Sequence, residues 1–371
     1  MNSILTGQII RQTPLKHALR QFFSQETNRG RQHQGARVAL TKAGIICYQG
    51  AAPQAATGPA CRLRHFPAIL ITCILTVIAM TDILRDYSQR FLFEEADVRG
   101  EKVLLDNAYG DILAIHQYAP GVARLMGEFL AAAVLLSNNL KFEGRLTLQA
   151  RSDGQLPLLM AESNHQLHIR GIARGSEQAT ANSNEELLSN GQLAITVEPL
   201  RGQRYQGIVA LQEGSVAHNL DAYFRQSEQL GSRIWLAANG QRAGGMLLQQ
   251  LPAQLVAEPG QRLDQWEHVL ALTDTLRDEE ILTLDSPTLL GLLYRDEPVR
   301  LFDADEVRFQ CSCSRQRTHR ALSTLDPAEL NEMLQEMGRI TMDCEFCNTQ
   351  YHFERADLTE VLGVDQAKTL H

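Results

Sequence analysis

The chain lacks an uncharged hydrophobic run long enough to cross a bilayer. Its one candidate, the uncharged stretch from Phe66 to Thr81, falls short of the ~18–20 apolar residues a spanning helix requires. No clear small-x-small cleavage site follows it, and an internal position suits a signal peptide badly. The chain also lacks a positive balance: the formal charge is −8, and a polyanion is repelled by such a surface, which argues against nucleic acid as the main partner. There is no Gly-x-x-x-x-Gly-Lys-Ser/Thr loop, no Gly-x-Ser-x-Gly elbow and no His-Glu-x-x-His pair. Nucleotide-driven work, serine-nucleophile chemistry and zincin chemistry therefore have no residues to act through. Cysteine is absent between Cys73 and Cys311.

What is present is enough for real cores. A length of 371 residues with 44% apolar content supports two or three domains, without disulfide stapling. Charge is uneven along the chain. Residues 1–80 carry Arg11, Lys16, Arg20, Arg29, Arg31, Arg37, Lys42, Arg62 and Arg64 against the single acid Glu26, and show little amphipathic period. Three readings fit this segment: a leader upstream of a natural start at Met80, a membrane anchor, or a disordered extension with an apolar stretch. The first is the expectation, with a cytoplasmic protein beginning at Met80.

From Asp82 the pattern is that of a folded domain, opening with a short helix through Leu84, Tyr87 and Phe91. Val122, Leu125, Met126, Phe129, Leu130 and Ala133 recur at helical spacing and predict a core-facing helix of about four turns. Period-two runs follow at Leu146, Leu148 and Ala150; at Leu167 and Ile169; at Leu193, Ile195 and Val197; at Ile208 and Ala210; and at Ile234 and Leu236. Asp153-Gly154, Asn190-Gly191 and Asn239-Gly240 mark tight turns among them, and Val216 to Leu230 reads as a helix. The expectation is an α+β fold: a hairpin-rich antiparallel-sheet core domain with helices over 81–254.

Pro252, Pro259 and Gly260 mark a boundary, and a helical linker is expected over 255–306. Trp266, Val269, Leu270, Thr273 and Leu276 form one helix face, and Leu289, Leu290, Leu292 and Leu293 another. Two such stripes must dock on a neighbour or remain a binding surface. A C-terminal zinc-binding unit is expected over 307–371, with a strand through Val307, Phe309 and Cys311. Asp326 then caps a helix whose first turn holds Pro327 and Glu329 and which runs to Met337. Sixty residues give a marginal core, the setting in which a structural metal is usually needed.

The decisive pattern is Cys311-Ser312-Cys313 with Cys344-Glu345-Phe346-Cys347 thirty residues on. Strand residues two apart point the same way, and a Cys-x-x-Cys turn presents both sulfurs from one loop, so all four can face one ion. Four thiolates favour tetrahedral zinc; an iron–sulfur cluster, two disulfides in an exported protein and unrelated core cysteines are the competing assignments. Purely structural zinc is the bland function. The Cys-x-Cys half-site points further, because a disulfide between such near neighbours closes a small strained ring and reports on redox state rather than stapling a fold. Metal-held thiolates are also the form that oxidants attack, and loss of a structural zinc worth on the order of 10 kcal/mol should unfold so small a unit.

These cysteine motifs, with Cys311-Ser312-Cys313-Ser314-Arg315, resemble the zinc site of the heat-shock holdases called thirty-three-kilodalton chaperonins. The resemblance continues through Phe91-Leu92-Phe93-Glu94 with Val98-Arg99-Gly100, Leu140-Lys141-Phe142-Glu143-Gly144 and Arg204-Tyr205-Gln206-Gly207. It extends through Tyr223-Phe224-Arg225-Gln226-Ser227-Glu228-Gln229-Leu230 and Gly244-Gly245-Met246-Leu247-Leu248-Gln249. It spans residues 81–365 and has no counterpart over 1–80. It implies a non-enzymatic chaperone that is inactive while one Zn2+ is bound. Oxidation then pairs Cys311 with Cys313 and Cys344 with Cys347, zinc is released, and the zinc unit and linker unfold. The active form is a homodimer that binds unfolded or misfolded client proteins. No nucleic acid or membrane partner is expected.

Other candidates carry less. His319 and His352 flank the cysteines, but four thiolates already fill a tetrahedron. Asp278-Glu279-Glu280 reads as a solvated helix face, and Gly244-Gly245 as a place of close strand packing rather than a phosphate cradle. Two further functions compete with the holdase: a dithiol oxidoreductase using Cys344 and Cys347, and a zinc-ribbon nucleic-acid module, which the acidic surroundings disfavour.

Overall fold

A computed structural model describes residues 85–138, 143–227 and 231–362. The expectations for the leader, the Phe66 to Thr81 stretch, the start at Met80, and Cys47, Cys61 and Cys73 lie outside these residues. So do Leu140 to Phe142 and Glu228 to Leu230.

The strands form two large antiparallel sheets and one small hairpin. The first has the order β10 (Val299–Glu306), β1 (Tyr87–Phe93), β2 (Val98–Leu105), β9 (Ala243–Gln250) and β8 (Ser232–Ala238). The second has the order β11 (Arg308–Phe309), β5 (His168–Arg174), β4 (Leu158–Asn164), β3 (Gly144–Arg151), β6 (Gln192–Pro199) and β7 (Tyr205–Ala210). Only β11 runs parallel to its neighbour, β5. The third pairs β12 (Ile340–Asp343) with β13 (Gln350–Phe353). The fold is α+β, as the alternating runs predict.

After α1 (Asn107–Ile115) comes the central helix, α2 (Pro120–Ser137). Pro120 suits its first turn, where no backbone N–H is needed. The apolar face predicted there proves to be most of the circumference, because α2 lies between the two sheets and packs against strands of both. Two glycines make the approach possible. A Cβ on Gly127 would lie 2.7 Å from Ala238 Cβ, and one on Gly171 would lie 2.5 Å from Met126 Sδ. Among the described residues α2 is the one helix long and apolar enough to cross a membrane, and 78% of it is buried inside the protein.

The helix expected through Tyr87 and Phe91 is instead strand β1. Tyr87, Phe91 and Phe93 stand at even spacing and so share one buried face of the strand, and the four-residue gap between the first two is one that a helix also uses. The expected helix at Val216 is α4 (Val216–Ser227), following the one-turn α3 (Asn184–Leu187). Asn190 and Gly240 take positive φ of 50° and 85° at the predicted turns. Gly244 and Gly245 sit mid-strand in β9, paired with β2.

In the segment expected to be a linker, α5 (Pro259–Thr273), α6 (Asp278–Thr283) and α7 (Ser286–Leu293) cover the outer face of the five-stranded sheet. Strand β9 is buried on both sides: Ala243 and Leu247 join the core around α2, whereas Met246 and Leu248 face the linker. Trp266, Val269, Leu289, Leu290 and Tyr294 pack there against Phe91, Phe93 and Val98, and the Phe93 and Tyr294 rings meet edge-to-face at 4.9 Å. The apolar stripes thus find a neighbour, each large side chain contributing about 1.5–3 kcal/mol of burial. One stretch of the expected helical linker departs from it. Residues 299–306 form β10, which adds an edge strand to the sheet beside β1.

Candidate metal centre

The expected strand through Val307, Phe309 and Cys311 shortens to the two residues of β11, and it belongs to the core. Val307 is 2% exposed within the core around α2, and Phe309 pairs with Ile169 of β5. Gln310 N–H donates to the Ile169 carbonyl at 3.1 Å, so the edge of the six-stranded sheet delivers Cys311 and Cys313 to their place. The partner motif is a tight turn between β12 and β13. Cys347 and Asn348 N–H both donate to the Cys344 carbonyl, at 3.2 and 2.7 Å, and Asn348 takes a φ of 53° to close the turn.

These two segments bring the four sulfurs together. All lie within 4.8 Å of one another, with Cys311 Sγ 3.7 Å from Cys344 Sγ and Cys313 Sγ 3.4 Å from Cys347 Sγ, and none is disulfide-bonded. Four sulfurs bound at about 2.3 Å to one tetrahedral ion stand about 3.8 Å apart, so a cluster of these dimensions could hold a metal ion.

Hydrogen bonds single out the sulfurs. Tyr351 O–H donates to Cys313 Sγ at 3.1 Å, Thr349 Oγ1 lies 3.2 Å from Cys347 Sγ, and Arg170 Nη1 lies 3.6 Å from Cys311 Sγ. Burial pushes the Cys311 thiol up and takes Cys344 up to about 12. Burial pushes the same way at Cys347, but the Thr349 hydroxyl and backbone outweigh it and bring that thiol down to about 7. Packed sulfurs of this kind cannot all be anionic without a cation among them, which is the condition a metal fulfils.

The unit around the cluster is small. After Cys313 come α8 (Arg315–Leu322), capped by Ser314, and α9 (Pro327–Met337), capped by Asp326, whose Oδ1 accepts from Ala328 N–H at 2.7 Å. Its buried apolar core is Leu322, Leu330, Leu334, Ile340, Phe353 and Leu358. His319 bonds the Asp357 carbonyl and His352 the Thr341 hydroxyl, and neither joins the cysteines. Asp278, Glu279 and Glu280 open α6, with Glu280 paired to Arg277.

Sequence reasoning missed the residues that surround the sulfurs: Arg170, Thr349, Tyr351 and the helix α8. Ser314, a good capping residue before Arg315, was the one local signal for α8. Arg170 is 141 positions from Cys311, and no local pattern reports that contact.

Fold and site together define a class: an α+β protein with a helix-covered sheet and a four-cysteine unit seated on the edge of its second sheet. The chain belongs to the Hsp33 family, whose description, Hsp33 protein, matches residues 86–354. It is 51% identical over 283 residues to the 33 kDa chaperonin of Ectopseudomonas mendocina, covering 76% of this chain and 96% of that one. It is 50% identical over 281 residues to the 33 kDa chaperonin of Pseudomonas aeruginosa strain UCBPP-PA14, covering 75% and 95%. The crystal structure of the 33 kDa chaperonin of Thermotoga maritima superposes with a TM-score of 0.63 over 75% of this chain and 98% of that one. At 21% identity that likeness speaks for the fold. These relatives are named as chaperonins and not as enzymes, and membership supports a chaperone role that binds unfolded client proteins.

Proposed function

We propose that this protein is a redox-regulated holdase. In the reduced state Cys311, Cys313, Cys344 and Cys347 grip one zinc ion, and oxidation of these sulfurs frees apolar surface that holds unfolding proteins. The observation that carries the reading is the convergence of four sulfurs within 4.8 Å on a unit whose described residues form a core cluster of six buried apolar side chains. Bound there, zinc supplies the cross-link such a core lacks, worth on the order of 10 kcal/mol.

Each pair of thiolates, Cys311 with Cys313 and Cys344 with Cys347, gives up two electrons as one S–S bond forms. Hydrogen peroxide accepts them with two protons, its O–O bond breaks and two waters leave. The close mutual distances leave room for this pairing, which follows the family resemblance. A sulfur in an S–S bond no longer carries the negative charge that grips a cation. The small unit then has too little core to stay folded. Its unfolding pulls on the chain after β11 and loosens the linker, so that Trp266, Leu289 and Phe93 become client-binding surface. Two active chains then pair as a homodimer.

The corresponding division of the chain is a core over 81–254, a linker over 255–306 and a switch unit over 307–371. The cytoplasm fits the reading, because four free thiols persist in a reducing compartment. Neither nucleic acid nor a membrane enters it.

The test is aggregation of a heat-unfolding client, followed by light scattering. Reduced, zinc-loaded protein leaves aggregation unchanged; protein treated with hypochlorite, or with peroxide under mild warming, suppresses it. Protein that releases zinc on oxidation and never suppresses aggregation ends the reading.

A further inference from the structure

Beside the β11–β5 pairing, a buried cation lies where the C-terminal unit meets the core. Arg170 on β5 is 7% exposed, and its Nε donates at 2.6 Å to Glu162 Oε2 on β4, the residue directly across the strand register. Glu162, 8% exposed, also faces Arg145 Nη1 at 3.6 Å and the Thr147 hydroxyl. The rest of the guanidinium leaves this pair and enters the cysteine cluster. Nη1 lies 3.6 Å from Cys311 Sγ, and the guanidinium carbon sits 4.1 Å from the centre of the Phe346 ring, inside the Cys344–Cys347 turn. A single side chain therefore touches both cysteine motifs and is anchored in the core sheet.

Apart from the backbone bonds of β11 and Gln310 to β5, the other polar contacts at this junction lie at its rim. Arg174 pairs with Glu345 at 2.7 Å, His116 meets the Glu345 carbonyl, and Asn348 Nδ2 donates to the Ile115 carbonyl. They are exposed, and exposed polar pairs hold little against water. Arginine suits the central position chemically: its planar fork bonds a carboxylate along one edge while its face stacks on an aromatic ring.

We propose that Arg170 is a positioning residue that couples the redox state of the Cys311 sulfur to the docking of the C-terminal unit on the core sheet. The proposal rests on the four-sulfur metal site described above. As a thiolate, Cys311 accepts a charge-assisted hydrogen bond from the guanidinium, which also offsets part of the negative charge of the cluster and slows attack on it. When Cys311 and Cys313 pass two electrons to hydrogen peroxide, whose O–O bond breaks and which takes two protons and leaves as two waters, their S–S bond leaves Cys311 neutral. Arg170 keeps Glu162 but loses its second anion. The β11 pairing, the Phe346 stacking and the rim contacts then join unit to sheet without the charged tie to Cys311, so oxidation loosens the docking of the unit as well as unfolding it.

Three variants of the full-length, reduced, zinc-loaded protein test this. Arg170→Met removes the charge and keeps the stem. Glu162→Gln with Arg170→Met leaves no lone buried carboxylate, so the core folds even if the single variant does not. Arg170→Lys restores a charge without the fork. Readouts are backbone hydrogen exchange over 308–311 and 343–350, the rate of thiol loss with hydrogen peroxide, and the thiolate-to-metal absorption of the cobalt(II)-loaded forms. Both methionine-carrying variants should exchange about tenfold faster in these segments. They should also oxidise faster and shift the cobalt band, with one metal still bound per chain and α2 as protected as in the parent. Lysine should recover part of each effect. A double variant that matches the parent in exchange, oxidation rate and cobalt band overturns the role of Arg170 alone. A parent protein that binds neither zinc nor cobalt overturns the metal site and this proposal together.

Discussion

Lys102, wholly buried on β2, donates from Nζ to the Leu284 carbonyl at 2.6 Å, joining a core strand to a linker residue 182 positions later. The same ammonium donates to the Tyr87 hydroxyl at 2.9 Å, and that hydroxyl in turn lies 3.4 Å from Ser286 Oγ at the start of α7. The linker is therefore tied to the core by a buried polar bridge beneath its apolar contacts. Lys102→Met should strip the bridge of its donor and cost about 1–3 kcal/mol, since the half-buried Leu284 carbonyl and the buried Tyr87 hydroxyl lose their shared partner. Faster hydrogen exchange over 284–290 in the reduced protein, together with client protection at a lower oxidant dose, is the expected result. Unchanged exchange there would show that the bridge does not hold the linker.

Trp266 is the largest linker side chain in the cluster on the outer sheet face, at 8% exposed. Trp266→Ala should weaken linker docking by about 3–5 kcal/mol through lost burial and the cavity left behind. A dye that fluoresces on apolar surface should then bind the reduced, zinc-loaded protein, and that protein should suppress client aggregation without any oxidant. Dye binding no greater than the parent's would mean that the stripe is not the hidden surface.

How much of this was legible in the sequence depends on the range of the interaction. Local periodicity announced α2, β3 and β6, and Asp326 with Pro327 announced α9, because caps and amphipathic faces are written within a few residues. The four cysteines were legible for the same reason: their spacing is their chemistry. Strand β1 was misread because Tyr87 and Phe91 lie four residues apart, a spacing that puts two side chains on one side of a strand and of a helix alike. Strand β10 was missed because its exposed edge position gives Val299, Leu301 and Asp303 no clear apolar alternation. Arg170 was illegible because its partners come from β4, the segment after β11 and the Cys344–Cys347 turn, and only the folded sheets bring these together.

Stability should depend on pH through Glu101. It is 2% exposed, accepts from Asn138 Nδ2 at 2.8 Å and from the Ser88 hydroxyl, and burial raises its carboxyl from 4.5 to about 7. The folded protein thus keeps a proton that the unfolded chain releases. This contribution is complete below about 4.5 and is lost as pH rises through about 7. At about 1.4 kcal/mol per pKa unit it amounts to on the order of 3 kcal/mol. Glu101→Gln, which stays neutral, should flatten the fall in urea midpoint across this window. A slope identical to the parent's would place the titration elsewhere.

Cys347→Ser removes one of four sulfurs from the cluster. Zinc content should fall well below one per chain, and α8, α9 and the β12–β13 hairpin should lose exchange protection while α2 keeps it. Full zinc content with an intact C-terminal unit would mean that three sulfurs suffice and that the assignment of Cys347 is wrong.

The most direct test of the whole account is hydrogen exchange, read by mass spectrometry on one preparation before and after peroxide, with zinc release followed in the same sample. Protection over 307–362 and over the linker helices should disappear in step with the metal, while α2 and β3 stay protected. Zinc lost and disulfides formed with the C-terminal unit and linker still protected would contradict it, because the sulfurs would then hold a metal without holding the fold.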